Sequence, residues 1–381
     1  MNVQPGNRVL IELWLADEAH TLSSQSTEPL DRWLGELIRR GGSDLLLVAD
    51  MPPSIRFEGQ VQCLDDVPLR GEDIESAVLP ALREHAVQEY RQRGIADSSY
   101  RVPELGRFRI NLHRERGRSA AAVRALPARL PTLQELRLPA NVERLAHLAS
   151  GLVILGGPTG SGKTTTLTAL VNLINQSQAR HIVTIEDPIE YEHTHLRSVV
   201  EQVEIGIDAR DFPGALRAAL RQAPDVIVVG EMRDPETARI AVSAAETGHL
   251  VFSTLHTTDV ASTVSRIADS FPSERQNTIR QELAMALAAV LTQTLLPSRL
   301  GGRVPAAELL LIGYGARQHI RRNALQHLHQ EITITRKMGS FTLEESLSQL
   351  VQEGHISRED ARICARHPDD LETLLKTVRN T

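Results

Sequence analysis

A parallel α/β sheet wound on both faces, preceded by a smaller α+β domain, is the fold class this sequence predicts, and three observations carry the prediction. At 381 residues the chain is longer than a single hydrophobic core usually serves. Four apolar runs of strand length, GLVILGG, HIVTIED, PDVIVVGE and HLVFSTLH, alternate with amphipathic patterns in the second half. The first of them runs directly into a glycine-rich turn and then a helix.

Taken in order, residues 1 to 29 hold the apolar stretch RVLIELWLA, a candidate strand, and then the polar TLSSQSTEP. Leu30, Trp33, Leu34, Leu37 and Ile38 recur at three and four, which predicts a helix stopped by Gly41 and Gly42. Short β-like runs follow in SDLLLVA, SIRFEGQVQCL, YRVPELGRFRINLHRERG and AAAVRALP, with a helix expected from Glu72 to Arg93. The polar, proline-bearing segment from 127 to 142 reads as a connector and a hinge. Alternating strands and helices then fill 143 to 270, and the pattern from Phe271 onward, including QELAMALAAVLTQTLL, reads as a helical subdomain.

The turn GGPTGSGKTTT matches the phosphate-loop pattern G-x-x-x-x-G-K-[ST] from Gly157 to Thr164, between an apolar strand and a helix carrying Leu167, Leu170, Val171 and Ile174. Gly157, Gly160 and Gly162 let backbone amides turn toward phosphate, with Pro158, Thr159, Ser161 and Thr165 completing the loop. Lys163 supplies a cation to the β and γ oxygens, and Thr164 offers its hydroxyl to Mg2+. ATP and Mg2+ are the expected ligands.

Strand ends line the ligand crevice in such sheets. Glu231 closes DVIVVGE, where a carboxylate can orient or deprotonate the attacking water. The residue before it is Gly230, where most phosphate-loop enzymes carry a metal-binding aspartate. Asp225 cannot replace that group, since the strand sets it about 20 Å away at the other end. The carboxylates of TIEDPIE are assigned instead, Glu186 and Asp187 to Mg2+ or its waters. Glu190 reads equally as a solvated helix start. His256 ends HLVFSTLH, placed to sense the γ-phosphate through a hydrogen bond, whereas His249 begins that strand and faces away.

A net charge of −6 gives no basic field of the kind that neutralises many phosphates, and 3% aromatic content leaves few stacking platforms, so nucleic acid is not the expected partner. Cys63 and Cys364 form neither a CxxC pair nor a disulfide framework, which fits a reducing cytoplasm. No apolar run reaches the roughly 18 residues of a membrane span, so any membrane association is expected to be peripheral.

The phosphate loop, TIEDPIE, DVIVVGE and HLVFSTLHTTD, in this order, resemble the Walker A motif, Asp box, atypical Walker B motif and His box of the secretion-superfamily ATPases. Within that superfamily, GEMRDPETARIAVSAAETGHLVFSTLHTTD and SDLLLVADMPPSIRFEGQVQCL look most like the PilT-like retraction ATPases of type IV pili. The resemblance implies a RecA-like core over 143 to 270 and a PAS-like amino-terminal domain over 30 to 126. It also implies a homo-hexameric cytoplasmic ring that works on an inner-membrane platform protein and drives twitching motility. Arginines of the amino-terminal domain complete the nucleotide site in that family, which carries the role to Arg107, Arg109 and Arg124. Arg114, Arg116 and Arg118 are read as surface charge.

Two segments depart from the family pattern. GARQHIRR, from Gly315 to Arg322, stands where retraction motors carry AIRNLIRE, with Arg322 in place of the final acid. SDLLL lacks the histidine of the family's SDLHL. The two cysteines cannot build the four-cysteine zinc element of assembly ATPases, which favours retraction. The alternatives are an ATPase of a related secretion, conjugation or assembly system, and a nucleotide-binding switch or scaffold in a mixed ring.

Overall fold

The computed structural model describes residues 27–377 and divides into two compact units, with the boundary between Ala128 and Arg129. The expected strand over RVLIELWLA and most of the 1 to 29 extension lie outside the described residues.

The amino-terminal unit is one antiparallel sheet covered on one face by helices. Helix α1 (Glu28–Arg39) buries Leu30, Trp33, Leu34 and Leu37, while Ile38, expected on that stripe, sits at its edge and is 40% exposed. Strands β1 (Asp44–Leu47), β2 (Ser54–Phe57), β3 (Gln60–Cys63), β4 (Ile95–Val102), β5 (Gly106–Glu115) and β6 (Arg118–Ala125) form a sheet of order β3-β2-β1-β6-β5-β4. Period-two alternation sends Leu45, Leu47, Ile55, Phe108, Ile110, Leu112 and Val123 into the core. The single helix expected from Glu72 to Arg93 is two, α2 (Gly71–Val78) and α3 (Glu84–Arg93), separated by a 3-10 turn at Leu79–Ala81. Pro80 lies in that turn, where its missing N–H and fixed φ end the first helix.

The second unit is built on seven strands: β7 (Gly151–Gly156), β8 (His181–Glu186), β9 (Val199–Glu204), β10 (Val226–Val229), β11 (Leu250–Leu255), β12 (Leu287–Pro297) and β13 (Arg303–Leu311), in the order β13-β12-β7-β11-β10-β8-β9. All neighbours pair in parallel except β12 and β13. Strand β7 feeds both faces: Leu152 and Ile154 join one core with helices α5 (Phe212–Ala219), α6 (Pro235–Glu246), α7 (Val260–Asp269) and α8 (Ser273–Ala286). Val153 and Leu155 join the other, with α4 (Lys163–Ser177) and a 3-10 turn at Ala140–His147. This two-sided burial makes the strands continuously apolar.

Two expected boundaries are corrected. Leu133, Leu136, Leu138 and Val142 pack on the α4-side core, so most of the 127 to 142 connector belongs to the second unit instead of tethering to it. The tail from Phe271 is not all helical: QELAMALAAVLTQTLL turns from α8 into β12 at Leu287, and Gly301 and Gly302, both at positive φ, return the chain as β13. A strand buried on both faces has no alternation to separate it from a buried helix, and the β-branched residues of LAAVLTQTLL were the available signal. The helical part begins at α9 (Tyr314–Arg321) and continues through α10 (Leu328–Ile334), α11 (Leu343–Gln352), α12 (Arg358–Cys364) and α13 (Pro368–Thr377). Among the described residues, no helix is long and apolar enough to cross a membrane.

Gly151 starts β7 at φ 114°, and a Cβ there would lie 2.7 Å from that of Ala288 and 3.2 Å from the Ala286 carbonyl. Gly151→Ala is therefore expected to cost about 2 kcal/mol or more, from backbone strain and overpacking together. A lowered thermal unfolding midpoint relative to wild type is the check, and an unchanged midpoint would show that β12 can give way.

Candidate active site

The phosphate loop is the turn between β7 and α4. Gly157, Gly160 and Gly162 have φ of 154°, 76° and 86°, values at which any side chain is strained. A Cβ on Gly157 would also overlap the Gln293 carbonyl and the Ser161 hydroxyl. Gln293, on β12, donates from Nε2 to the Ser161 carbonyl at 2.6 Å and holds the loop from the neighbouring strand. Lys163 opens α4, buried, with Nζ donating to the Gly157 carbonyl at 2.8 Å and the Pro158 carbonyl at 3.0 Å. Burial pushes its ammonium below the ordinary lysine range, while the Glu231 carboxylate pulls the other way. Thr164 and Thr165 occupy the same first helical turn, half-buried.

Strand register supplies the second half of the site. Leu255 lies opposite Gly156, and Val229 opposite Ser253, so His256 and Glu231 leave the sheet at the level of the loop. His256 Nε2 is 3.1 Å from Glu231 Oε1, and its Nδ1 is 3.4 Å from both Lys163 Nζ and Thr159 Oγ1. A tautomer protonated on Nε2 is compatible with each of these contacts, since Nε2–H donates to Glu231 and the single lone pair of Nδ1 accepts from either lysine or threonine. Arg233 Nε donates to the other Glu231 oxygen at 2.9 Å. An unbroken polar path thus runs from Lys163 through His256 and Glu231 to Arg233. Beside it, a cleft of about 300 Å³ opens toward α6 and α7, lined by Glu231, Arg233, His256 and Arg266.

The structure gives a reason for glycine at 230. Its carbonyl accepts the Thr254 hydroxyl at 2.6 Å, and a Cβ would press to 3.2 Å on the Ile185 carbonyl and 3.6 Å on Glu186 Cα. Asp225 sits at the opposite strand end, accepting the His181 N–H at 2.8 Å. His249 Nδ1 is 2.9 Å from the Ala244 carbonyl, before β11 begins and at the end of that strand remote from His256.

Glu186 and Asp187 stand apart from this path. Strand β8 is three places from β7, about 14 Å at the usual strand spacing. Glu186 Oε1 accepts the Thr184 hydroxyl at 2.7 Å and Gln202 Nε2 at 3.2 Å. Burial raises the Glu186 carboxyl, and these hydrogen bonds oppose it only in part. Asp187 is exposed.

The three arginines of the amino-terminal unit share one sheet face. Arg56 pairs with Asp44, Asp44 with Arg124 and Arg124 with Arg109 across successive strands, while Arg107 lies two residues along β5 opposite Arg101. Arg124 Nε donates to Asp44 at 2.8 Å, and Arg109 lies 3.5 Å from Asp97. Five arginines so aligned, with two carboxylates among them, make a basic face opposite the apolar one. Arg56, Arg101 and Gln293 lie on strands whose pairing is not written locally, whereas Arg233 stands two residues from Glu231 and was not singled out. Of the arginines read as surface charge, Arg116 is 82% exposed, whereas Arg118 reaches the Asp50 carboxylate at 2.5 Å.

Parallel sheet, phosphate loop and strand-end carboxylate define a phosphate-loop ATPase. A family model described as type II/IV secretion system protein matches residues 121–300. The type IV pilus retraction ATPase PilT of Pseudomonas aeruginosa is 40% identical over 332 residues, 87% of this chain and 96% of its own. A twitching motility protein of Neisseria gonorrhoeae is 39% identical over 325 residues, 85% of this chain and 87% of its own. The solved structure of a pilus retraction motor PilT with bound ADP has a TM-score of 0.82 at 42% identity, covering 89% of this chain and 98% of that one. The chain belongs to the PilT-like ATPases of the type II/IV secretion family, as the motifs implied, and it hydrolyses ATP.

An ionised Glu186 is destabilised by burial, so its raised folded pKa favours the folded state at low pH and that contribution is lost as pH rises through it. Glu186→Gln is therefore expected to raise the thermal midpoint at pH 7.5. The difference should vanish below about pH 4.3, where glutamate is neutral in both states. Midpoints across that pH range decide it, and a lower midpoint for the variant at pH 7.5 refutes the assignment.

Proposed function

We propose that the chain is an ATP-driven motor that retracts type IV pili, working as a homo-hexameric ring on an inner-membrane platform protein at the cytoplasmic face of that membrane. The observation that carries this reading is the length of the match to PilT, which spans 96% of that relative and includes both units of this chain. Gly157 to Thr165 would hold the triphosphate, with Lys163 exchanging the Gly157 and Pro158 carbonyls for phosphate oxygens. Mg2+ would rest on the Thr164 hydroxyl, and Glu186 and Asp187, whose strand is three places away, would act on it only across intervening water. Glu231 would orient and deprotonate the attacking water, and His256, bonded to both Glu231 and the loop, would report the γ-phosphate.

The basic face of the PAS-like unit fits the role of an arginine supply, because guanidinium groups stabilise charge on a transferring phosphoryl group. Arg107, Arg109 and Arg124 would then act on the nucleotide of a neighbouring subunit. A second reading, a motor of a related secretion system, draws on the GARQHIRR segment. There Arg322, exposed at the end of α9, replaces the acid of the retraction motif.

Glu231→Gln should keep ATP binding and lose turnover by about a hundredfold or more. Host cells whose only copy carries it should display excess surface pili by electron microscopy and fail to twitch. Bald cells would reverse the direction of the motor, and normal pili would move it to another secretion apparatus. Arg109→Ala should slow turnover of the assembled ring while leaving that of isolated subunits unchanged; an equal loss in both would rule out action across subunits.

A further inference from the structure

Away from the nucleotide site, three side chains with metal-binding chemistry converge where α10 meets the start of α13. One ligand atom from each of His329, His367 and Asp370 lies within 4.8 Å of the other two. His329 is on α10, His367 immediately precedes Pro368, and Asp370 is in the first turn of α13, its N–H donating to the His367 carbonyl at 3.1 Å. The two imidazoles face each other with ring centroids 4.2 Å apart. Among the described residues, neither imidazole nor the Asp370 carboxylate has a side-chain hydrogen bond or ion pair.

The backbone beneath these groups is held firmly. Leu328 and Ile332 anchor α10 in the core beneath the sheet, whereas Leu371 and Leu375 anchor α13 in a separate core with α11, β12 and β13. The buried Glu344 accepts the N–H of Arg366 at 3.0 Å and of His367 at 2.9 Å. Arg366 reaches the buried Glu308 at 2.9 Å and also donates to the Thr258 carbonyl, two residues beyond His256.

We propose that His329, His367 and Asp370 bind one zinc-class divalent cation that staples α13 to α10. Two imidazole nitrogens and one carboxylate oxygen are a borderline-soft donor set that suits Zn2+, Co2+ or Ni2+ and disfavours Mg2+ and Ca2+, which take oxygen. A tetrahedral ion with bonds near 2.0 Å needs donors about 3.3 Å apart, a modest closing reached by rotating the side chains. Three protein ligands leave the fourth position to water. The ion would join two cores and fix the segment from which Arg366 grips the loop behind His256. Among the described residues, no cysteine belongs to this group of ligand atoms.

The test uses the untagged full-length chain, stripped of metal and then titrated with Zn2+ in excess Mg2+, with bound zinc counted after dialysis. One equivalent should be retained, and Zn2+ should raise the thermal midpoint. Co2+ in its place should give visible d–d absorption without a thiolate charge-transfer band. His329→Gln, His367→Gln and Asp370→Asn should each weaken zinc binding at least tenfold and abolish the rise in midpoint. Asp370 is exposed, so its variant keeps the test open should a histidine variant fail to fold. Absence of retained zinc, wild-type affinity in Asp370→Asn, or a thiolate band would each overturn the proposal.

Discussion

The site depends on the parallel hydrogen-bonded register of β7, β11, β10 and β8. Because each strand pairs residue for residue with its neighbour, their carboxyl ends finish at one level, and whatever follows each strand emerges along one edge. The phosphate loop, His256, Glu231 and Glu186 are those following or final residues. A slip of one residue in β11 would exchange its two buried faces and turn His256 away from the loop. The apolar runs on both sides of the sheet therefore do more than fill a core, since their packing fixes the register that aligns the polar groups.

Along that edge the charges alternate, and alternation makes the arrangement affordable. Lys163 is buried, which disfavours its charge, and the nearby Glu231 carboxylate offsets part of the penalty. Glu231 is itself shared between the imidazole and Arg233. No member can move without altering its neighbour's partners, so a change at the loop is felt two strands away at β10. Glu186 lies outside this chain of contacts; burial favours its neutral form, and the hydrogen bonds from Thr184 and Gln202 oppose that in part.

Much of this was legible in the sequence because it is local. The phosphate loop is a contiguous pattern whose glycines are required by its own backbone, and Glu231 and His256 follow strands that read as strands. The misreading of β12 comes from burial on both faces. LAAVLTQTLL shows no polar–apolar alternation because β12 is buried on both faces for most of its length, so its period could not distinguish strand from helix, and Gln293 was lost with it. The connector over 127 to 142 read as a tether because its leucines are spaced by prolines and polar residues, yet Leu133, Leu136 and Leu138 dock separately. Arg56, Arg101, Arg107, Arg109 and Arg124 come from four strands and align only once those strands pair.

The carboxy-terminal region is wired to the nucleotide edge by charge as well as by packing. Glu308 is buried on β13, where desolvation makes an unpaired carboxylate costly, and Arg366 answers it while also binding the carbonyl of Thr258. Arg366 can satisfy both only while its backbone is held by Glu344 of α11. Displacing Thr258, in the loop that carries His256, would strip one partner from Arg366 and strain the only ion pair that Glu308 makes among the described residues. The buried acid thus ties the loop behind His256 to the helical layer through one arginine.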